Sequence, residues 1–329
     1  MKRLYLSCLL GICYLFSYSQ DIHYSQFFNS PLNLNPALTG VFAGEQRISG
    51  NYKSQWASVP VDYNTLTLEY DRNLVKSDTS NFLSFGGIIN YDQAGSVSMN
   101  LFNLALNASF SLRVGDHSLI TPGVQVGFHS RSYDRTKVTT GNQWNGDFAD
   151  FSIPAEALQN DGINFFDISA GLNYHRQTSY RDYFDLGVGL FHITTPDQSF
   201  DGATTRSNLN RRLSLYGMAS FELLDKLDLL VNATFQKQEV YQEILLNAQG
   251  KIYLDKNNTA LYLGLGYRVG DAWYPMIALQ YNNIYVGFNY DINFSDFSHA
   301  TSNKGGPEFS FRYMIYNIPN APFKPCPIY

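Results

Sequence analysis

The chain of 329 residues is poor in charge and rich in aromatic and uncharged polar side chains. Charged residues make up 16% of it, where a soluble globular chain carries about 25%, and 24 Tyr and 24 Phe take up much of the difference. The formal net charge of −5 and the lack of a basic run argue against a nucleic-acid partner.

The first residues have the pattern of a secretory signal peptide. Two basic residues at positions 2 and 3 precede an apolar run over 4–16, which is too short to span a bilayer as a helix. Residues 17–19 supply a small–x–small pattern, so we expect a signal peptide over 1–19 and cleavage between Ser19 and Gln20. No later apolar run is long enough for a membrane helix, which leaves an exported soluble protein or a β-barrel.

Residues 20–43 form a segment without a regular hydrophobic period. The segment is rich in Pro and Asn, which favour turns and irregular backbone over strands. Two placements are open for it. It either lies in the periplasm or folds into a barrel as a plug.

From residue 44 to 315 the dominant pattern is an alternation of apolar and polar residues, which places successive side chains on opposite faces of a sheet. The clearest example runs over 101–112, where Phe102, Leu104 and Leu106 lie on one face and Asn103 and Asn107 on the other. This segment is about as long as the ~9–11 residues that a tilted strand needs to cross a bilayer. Similar segments recur along the chain and include Leu66, Val124, Ile168, Leu186, Leu215, Val231, Leu263, Ile277, Val286 and Phe311.

We count about 14 such segments, and an even number is usual for single-chain bacterial barrels. The sequence therefore predicts an all-β fold, a transmembrane antiparallel up-and-down β-barrel over 44–315 in the outer membrane. Connections between even and odd segments are mostly short, as at 113–117 and 282–283, whereas the long ones at 132–163, 194–210 and 293–305 join odd to even segments. This sorting predicts that the long connections face outward and that a tail over 316–329 is periplasmic.

The polar face, which should line the lumen, carries charges of both signs. Such charges pair across a filled lumen or grip a protein segment inside the barrel, and Arg131, Arg212 and Asp291 are our first choices for contacts with a partner. The full set is Arg47, Glu69, His129, Arg131, Asp167, Asp185, Arg212, Glu222, Arg268, Asp291 and Arg312.

Patterns that would carry chemistry do not emerge from the sequence. His129 and Ser130 are neighbours on a predicted strand, so their side chains point to opposite faces and cannot share a proton. Acidic residues in the longest connection, Asp147, Asp150 and Asp161 among them, do not have the spacing of a calcium-binding loop. We expect no catalytic residues, no metal and no cofactor. Cys326 has no second cysteine in the mature chain with which to pair.

Several segments, spread along essentially the whole mature chain, form a recognisable set of motifs. The most specific block is 20–40, and further blocks lie at 51–56, 191–200, 211–216, 289–293 and 306–310, with a Cys-Pro-x-aromatic end at 326–329. The most characteristic residues are Asn35, Pro36, Gln55, Trp56, Gln198, Ser199, Phe200, Tyr290, Asp291 and Cys326. Together these segments resemble the PorP/SprF family.

The resemblance implies an integral outer-membrane protein of Bacteroidota that is tied to the type IX secretion system. Members of the family act in export and motor anchoring, or serve one large adhesin in gliding or attachment. The implied partners are a secreted protein with a C-terminal sorting domain and other type IX secretion subunits. We therefore expect a non-enzymatic protein that binds, anchors or helps to export such a cargo. A passive porin for small solutes and a structural subunit of the secretion motor remain alternatives, and an open or closed lumen would separate the porin from the others.

Overall fold

The alternating segments form fourteen β-strands that close into one antiparallel barrel. The computed structural model describes residues 21–55, 63–74, 81–150, 152–153, 160–200, 207–254, 259–295 and 304–316. Each strand pairs with its neighbours in chain order, and β14 pairs with β1 to close the wall. The fold predicted from the sequence is thus confirmed. The strands are β1 Gln46–Gln55, β2 Tyr63–Leu74, β3 Phe82–Ala94, β4 Met99–Arg113, β5 Ser118–Ser132, β6 Gly162–Gln177, β7 Tyr183–Phe191, β8 Arg212–Leu224, β9 Leu227–Gln238, β10 Tyr241–Tyr253, β11 Ala260–Arg268, β12 Ala272–Tyr281, β13 Ile284–Asn293 and β14 Lys304–Ile315.

The two faces of the wall differ as the alternation predicts. On β4, Leu104 and Leu106 point outward and are 44% and 70% exposed, whereas Asn103 and Asn107 point into the lumen and are buried. An apolar outer face and a polar inner face are what a bilayer requires of a barrel wall. Among the described residues, none of the helices is both long and apolar enough to cross a membrane.

The connections differ in length between the two ends of the barrel. One end, the short-turn end, carries the connections at 75–81, 114–117, 178–182, 225–226, 254–259 and 282–283. The other, the long-loop end, carries those at 56–62, 95–98, 133–161, 192–211, 239–240, 269–271 and 294–303. β1 begins and β14 ends at the short-turn end, so the chain enters and leaves the wall on the same side.

Residues 21–43, which we call the plug, lie inside the barrel. They contain the short helix α1, Pro31–Leu34, and two single 3-10 turns at Phe27–Asn29 and Pro36–Leu38. Proline is the first residue of both α1 and the second 3-10 turn, where its missing N–H costs no hydrogen bond. The sequence left open a position in the periplasm and a position inside the barrel, and in the structure these residues lie inside the barrel.

The hydrophobic core of the molecule lies between the plug and the lumen wall. Phe27, Leu34 and Leu38 pack against inward-facing Tyr216, Leu245 and Tyr274. Leu32 of α1 is fully buried against Ile88 and Ala105 on the opposite side of the lumen. Full burial of one leucine side chain contributes about 1.5–3 kcal/mol, so these contacts hold the plug in place along much of its length.

One charge predicted to face the lumen lies at its rim. Glu222 is exposed near the end of β8, opposite the buried Asp228 of β9 and just before the register between the two strands shifts. Its Oε1 accepts a hydrogen bond of 2.7 Å from Nη1 of Arg181, which also forms an ion pair with Asp228. Glu222 therefore keeps the inward side of the strand but reaches solvent at the mouth of the barrel.

Candidate functional site

Asp21, the first described residue of the plug, lies in a cluster of four ionisable side chains at the long-loop end. The other three are Asp167, His192 and Arg212, and we call the four the clamp. Asp167 lies on β6, His192 directly follows β7, and Arg212 begins β8. The Asp21 carboxylate lies 2.9 Å from His192 Nε2 and 3.0 Å from Arg212 Nε. On its other side, His192 Nδ1 lies 2.8 Å from Asp167 Oδ2.

The geometry requires a protonated His192. Both ring nitrogens face carboxylate oxygens, which only accept hydrogen bonds, so both nitrogens must donate. Burial alone would lower the pKa of His192, but the carboxylates of Asp21 and Asp167 outweigh that effect and raise it to about 9. Burial likewise opposes ionisation of Asp21, yet Arg212 and His192 hold its pKa well below the usual range for a carboxyl. The clamp thus contains two ionised carboxylates and two cations near neutral pH.

The backbone at His192 is unusual as well. Its φ of 57° lies in the left-handed region, which few residues other than glycine adopt. Such a conformation costs of the order of 1–3 kcal/mol. The two charged hydrogen bonds of the imidazolium ring offset this cost, and they orient the ring toward the plug.

A second anchor holds the next residues of the plug against β13 and β14. The backbone N–H groups of Ser25 and Gln26 donate to the two oxygens of Glu308, at 2.8 and 2.7 Å. The Ser25 hydroxyl donates to Asp291 at 2.8 Å and accepts from Nη2 of Arg268 at 2.7 Å. These wall carboxylates therefore satisfy both backbone and side-chain donors of the plug, as buried polar groups require.

The second half of the plug descends toward the short-turn end through close contacts with glycines of the wall. Asn35 Nδ2 donates to the backbone carbonyls of Leu172 and Val188, at 3.1 and 3.2 Å. A Cβ on Gly171 would lie 1.8 Å from Asn35 Oδ1, and one on Gly123 would lie 2.5 Å from the Cα of Ala37. Glycine at position 123 thus lets the backbone of the plug approach the wall, and glycine at position 171 leaves room for the Asn35 side chain.

The plug leaves the lumen at a third anchor, the ion pair of Arg47 and Asp71. Nε and Nη2 of Arg47, on β1, donate to both oxygens of Asp71, on β2, at 2.9 and 2.7 Å. The Asp71 carboxylate also accepts from the backbone N–H of Gly40, and Arg47 donates to the carbonyl of Leu38. A bidentate pair of this kind is among the strongest polar contacts in proteins. It joins the end of the plug to the first strands of the wall.

Two small cavities border the first residues of the plug. One lies next to Asp21 and Arg212 and the other next to Tyr24 and Asn33, and each has a volume of about 10 Å³. A cavity of that size holds roughly one water molecule. Neither has room for a solute.

The three residues predicted to contact a partner are all engaged by the chain itself. Arg212 binds Asp21 and donates to the carbonyl of Asn33, and Asp291 binds Ser25 and Arg268. Arg131 donates to Oε1 of Gln198 in the connection between β7 and β8, at 2.7 Å. The structure thus places two of the three at the plug and the third beside it, and partner contact by these residues remains a prediction.

The residues of the family resemblance lie at three places in the fold. Asn35 and Pro36 belong to the plug, whereas Gln55 ends β1 and Tyr290 lies on β13. Gln198, Ser199 and Phe200 lie in the connection after β7, where Phe200 packs edge-on against Tyr133 at 5.1 Å. Ser19, Gln20, Trp56 and Cys326 lie outside the described residues.

Two members of the clamp are not predicted as partners from the sequence. Asp21 has no distinguishing motif, and the position of His192 near a strand end indicates only a girdle or loop role, because 171 positions separate the two residues in the chain. The sequence did contain a weak signal: Asp21 is the sole acidic residue in 21–43. In the described part of the chain, no group of His, Cys, Asp and Glu residues has the arrangement of a metal site.

A family model described as "Type IX secretion system membrane protein PorP/SprF" matches residues 16–313, which include the plug and nearly the whole wall. The chain belongs to the PorP/SprF family. Together with the barrel, this makes it an integral outer-membrane protein, as the sequence predicted. No curated protein matches the chain significantly.

Solved structures similar to this PorP/SprF protein include a FadL homologue and two monoaromatic hydrocarbon channels. A Pseudomonas aeruginosa FadL homologue is 11% identical, with a TM-score of 0.55 over 88% of this chain and 94% of that one. The TodX deltaS2S3 mutant monoaromatic hydrocarbon channel is 8% identical, with a TM-score of 0.54 over 86% and 93%. The CymD monoaromatic hydrocarbon channel is 10% identical, with a TM-score of 0.52 over 88% and 93%. At such identities the likeness concerns the fold alone.

Proposed function

We propose that this PorP/SprF barrel receives a secreted surface protein through its C-terminal sorting domain and retains or helps to export it, without catalysing a reaction. The observation that carries the proposal is a barrel of a type IX secretion family whose lumen is filled by its own plug. A filled lumen suits a binding partner better than a passive porin, because solutes need an open path. Other type IX secretion subunits would act beside it in the same membrane.

The long-loop end supports the role of a surface receptor. Its longest connection, 133–161, has exposed Trp144 and Phe148 among many polar residues. Exposed aromatic side chains of this kind are typical of protein interaction sites. We propose that this end faces the cell exterior and meets the cargo there.

Epitope tags test the sidedness. A tag inserted at 145–146 should be stained on intact cells, and a tag after residue 329 should be stained only after the outer membrane has been permeabilised. Staining of the C-terminal tag on intact cells would reverse the orientation.

Deletion of the gene tests the function itself. We expect one or a few large proteins to disappear from the cell surface, while uptake of small solutes stays unchanged and the wild-type gene restores the lost proteins. A surface proteome that is the same with and without the gene would contradict the proposal.

A further inference from the structure

The plug has a single charge near neutral pH, and that charge is Asp21. Residues 21–43 contain one Asp and no Glu, Lys or Arg. The one histidine of the plug, His23, is neutral at pH 7, because burial lowers its pKa to about 4. The rest of the plug contacts the wall through backbone groups, hydroxyls, amides and apolar side chains. The clamp is therefore the place where the wall recognises a charge.

The two cations of the clamp are positioned by the wall and not by Asp21. The Arg212 guanidinium stacks on the ring of Phe191, 4.1 Å from its centroid, and donates to Gln236 at 3.0 Å. The His192 ring is fixed through Nδ1 by Asp167, whose other oxygen accepts from Thr194 at 2.9 Å. Both cations are buried, with 5% and 3% of their surfaces exposed. Apart from one hydrogen bond from Arg212 to the carbonyl of Asn33 in the plug, wall residues hold both cations, and together the two form a carboxylate receptor.

The occupant is more accessible than the receptor. The Asp21 side chain is 19% exposed, against 4% and 6% for those of His192 and Arg212. The small cavity next to Asp21 is lined in part by Lys237, Gln238 and Tyr241 at the end of β9 and the start of β10, so it lies at the long-loop end. An incoming group would thus reach the site from the side where we place the cargo.

We propose that Arg212 and His192 form a carboxylate-binding site for a peptide at the long-loop end, and that Asp21 occupies this site as an intramolecular substitute. A cargo segment with a carboxylate at the corresponding position would take the site once the start of the plug leaves. This inference deepens the proposed function and rests on it for the identity of the incoming peptide. The carboxylate preference itself follows from the clamp alone.

Because a tethered plug has a high local concentration, the test must first release the tether. A recognition sequence for a specific protease is inserted between Ala43, which is exposed, and Gly44 at the short-turn end of the folded full-length protein. Cleavage then leaves the plug as a non-covalent peptide in an otherwise complete barrel. A difference in gel migration between unheated and heated samples checks that the barrel stays folded.

The nicked protein is mixed with fluorescent synthetic peptides of residues 21–43 that differ only in Asp or Asn at the first position. We expect the Asp peptide to exchange into the lumen with an affinity at least about tenfold higher, since charge-assisted hydrogen bonds are roughly twice as strong as neutral ones. A His192→Gln host should reduce the preference. A Glu308→Gln host, altered in the wall at the second anchor and outside the clamp, should keep it.

Equal affinities of the two peptides for the wild-type nicked barrel would overturn the proposal, and so would uptake of neither peptide by a barrel that remains folded. Neither result depends on any cargo. If the exchange assay succeeds and the deletion strain keeps its surface proteome, the carboxylate site stands and the proposed function falls. If the assay fails and the deletion strain loses a surface protein, the reverse holds.

Discussion

At the scale of residues, the clamp makes the stability of the plug depend on pH through His192. Its pKa is raised from 6.5 to about 9, because Asp21 and Asp167 outweigh the effect of burial. A raised pKa means that the stabilisation is fully present below about pH 6.5 and is lost as the pH rises through about 9. Asp21 acts in the opposite sense: its lowered pKa gives stabilisation that is lost only under acidic conditions.

The stability of the protein should therefore fall at alkaline pH as His192 loses its proton. Between pH 7 and pH 10 the free energy of unfolding should fall by about 3 kcal/mol through His192. Urea unfolding of purified protein in detergent at the two pH values measures the change. In His192→Gln, which cannot titrate, this component should be absent. An unchanged pH dependence in the variant would show that other groups are responsible.

The clamp also shows what a single sequence leaves undetermined at this scale. Charges facing the lumen followed from the alternation, and so did the expectation that they pair. Which charge meets which depends on strand tilt and on the path of the plug, neither of which is encoded in local spacing. Asp21 and His192 meet because residues 21–43 fold back inside the wall. The depth of Glu222 was undetermined for a related reason, since the alternation gives the side of the strand but does not show where the wall ends.

At the scale of elements, the alternation determines the faces of the strands, and the depth of a residue in the bilayer then sets the cost of a charge. Leu104→Arg, near the middle of β4 on the outer face, should make folding into the membrane less favourable by about 2–4 kcal/mol. Asn100→Arg, on the same face but at the long-loop end of β4, should cost about 0–1 kcal/mol.

Titration of unfolding in lipid vesicles compares these two variants. Equal costs would mean that Leu104 does not lie near the bilayer midplane.

The contact of the plug with β5 gives a prediction for packing. Gly123→Ala places a Cβ 2.5 Å from the Cα of Ala37, so the plug must shift, and overpacking of this kind costs about 1–3 kcal/mol. Gly87→Ala is the control, because its Cβ points outward and lies 3.6 Å from its nearest neighbour. Urea unfolding should show a loss for the first variant and almost none for the second. Equal stability of both would mean that the plug does not press on β5.

The strands and the plug differ in how well the sequence predicts them. A strand in a barrel wall faces lipid on one side and polar groups on the other, so its pattern is local and periodic. The plug has no lipid-facing side, and its backbone bonds go to wall residues far away in the chain, such as Leu172 and Glu308. Its interior position therefore could not be chosen over a periplasmic one from the sequence.

At the scale of the whole molecule, the barrel and the plug together decide between a pore and a partner. The fold is shared with hydrocarbon channels at TM-scores of 0.52 to 0.54, so the wall alone does not distinguish the two. The plug does, because its three polar anchors, at His192, Glu308 and Asp71, hold it along the length of the lumen. We therefore expect the barrel to be closed in its resting state.

Recording of single-channel current across a planar lipid bilayer tests directly whether the resting barrel is closed. The purified full-length protein should insert without steady conductance, because the cavities beside the plug hold about one water molecule each. Gly123→Ala is the full-length variant for comparison. Because the plug must shift in it, its current traces should show more frequent openings. Large and steady conductance of the wild-type protein without any partner would contradict the account and make the barrel a porin.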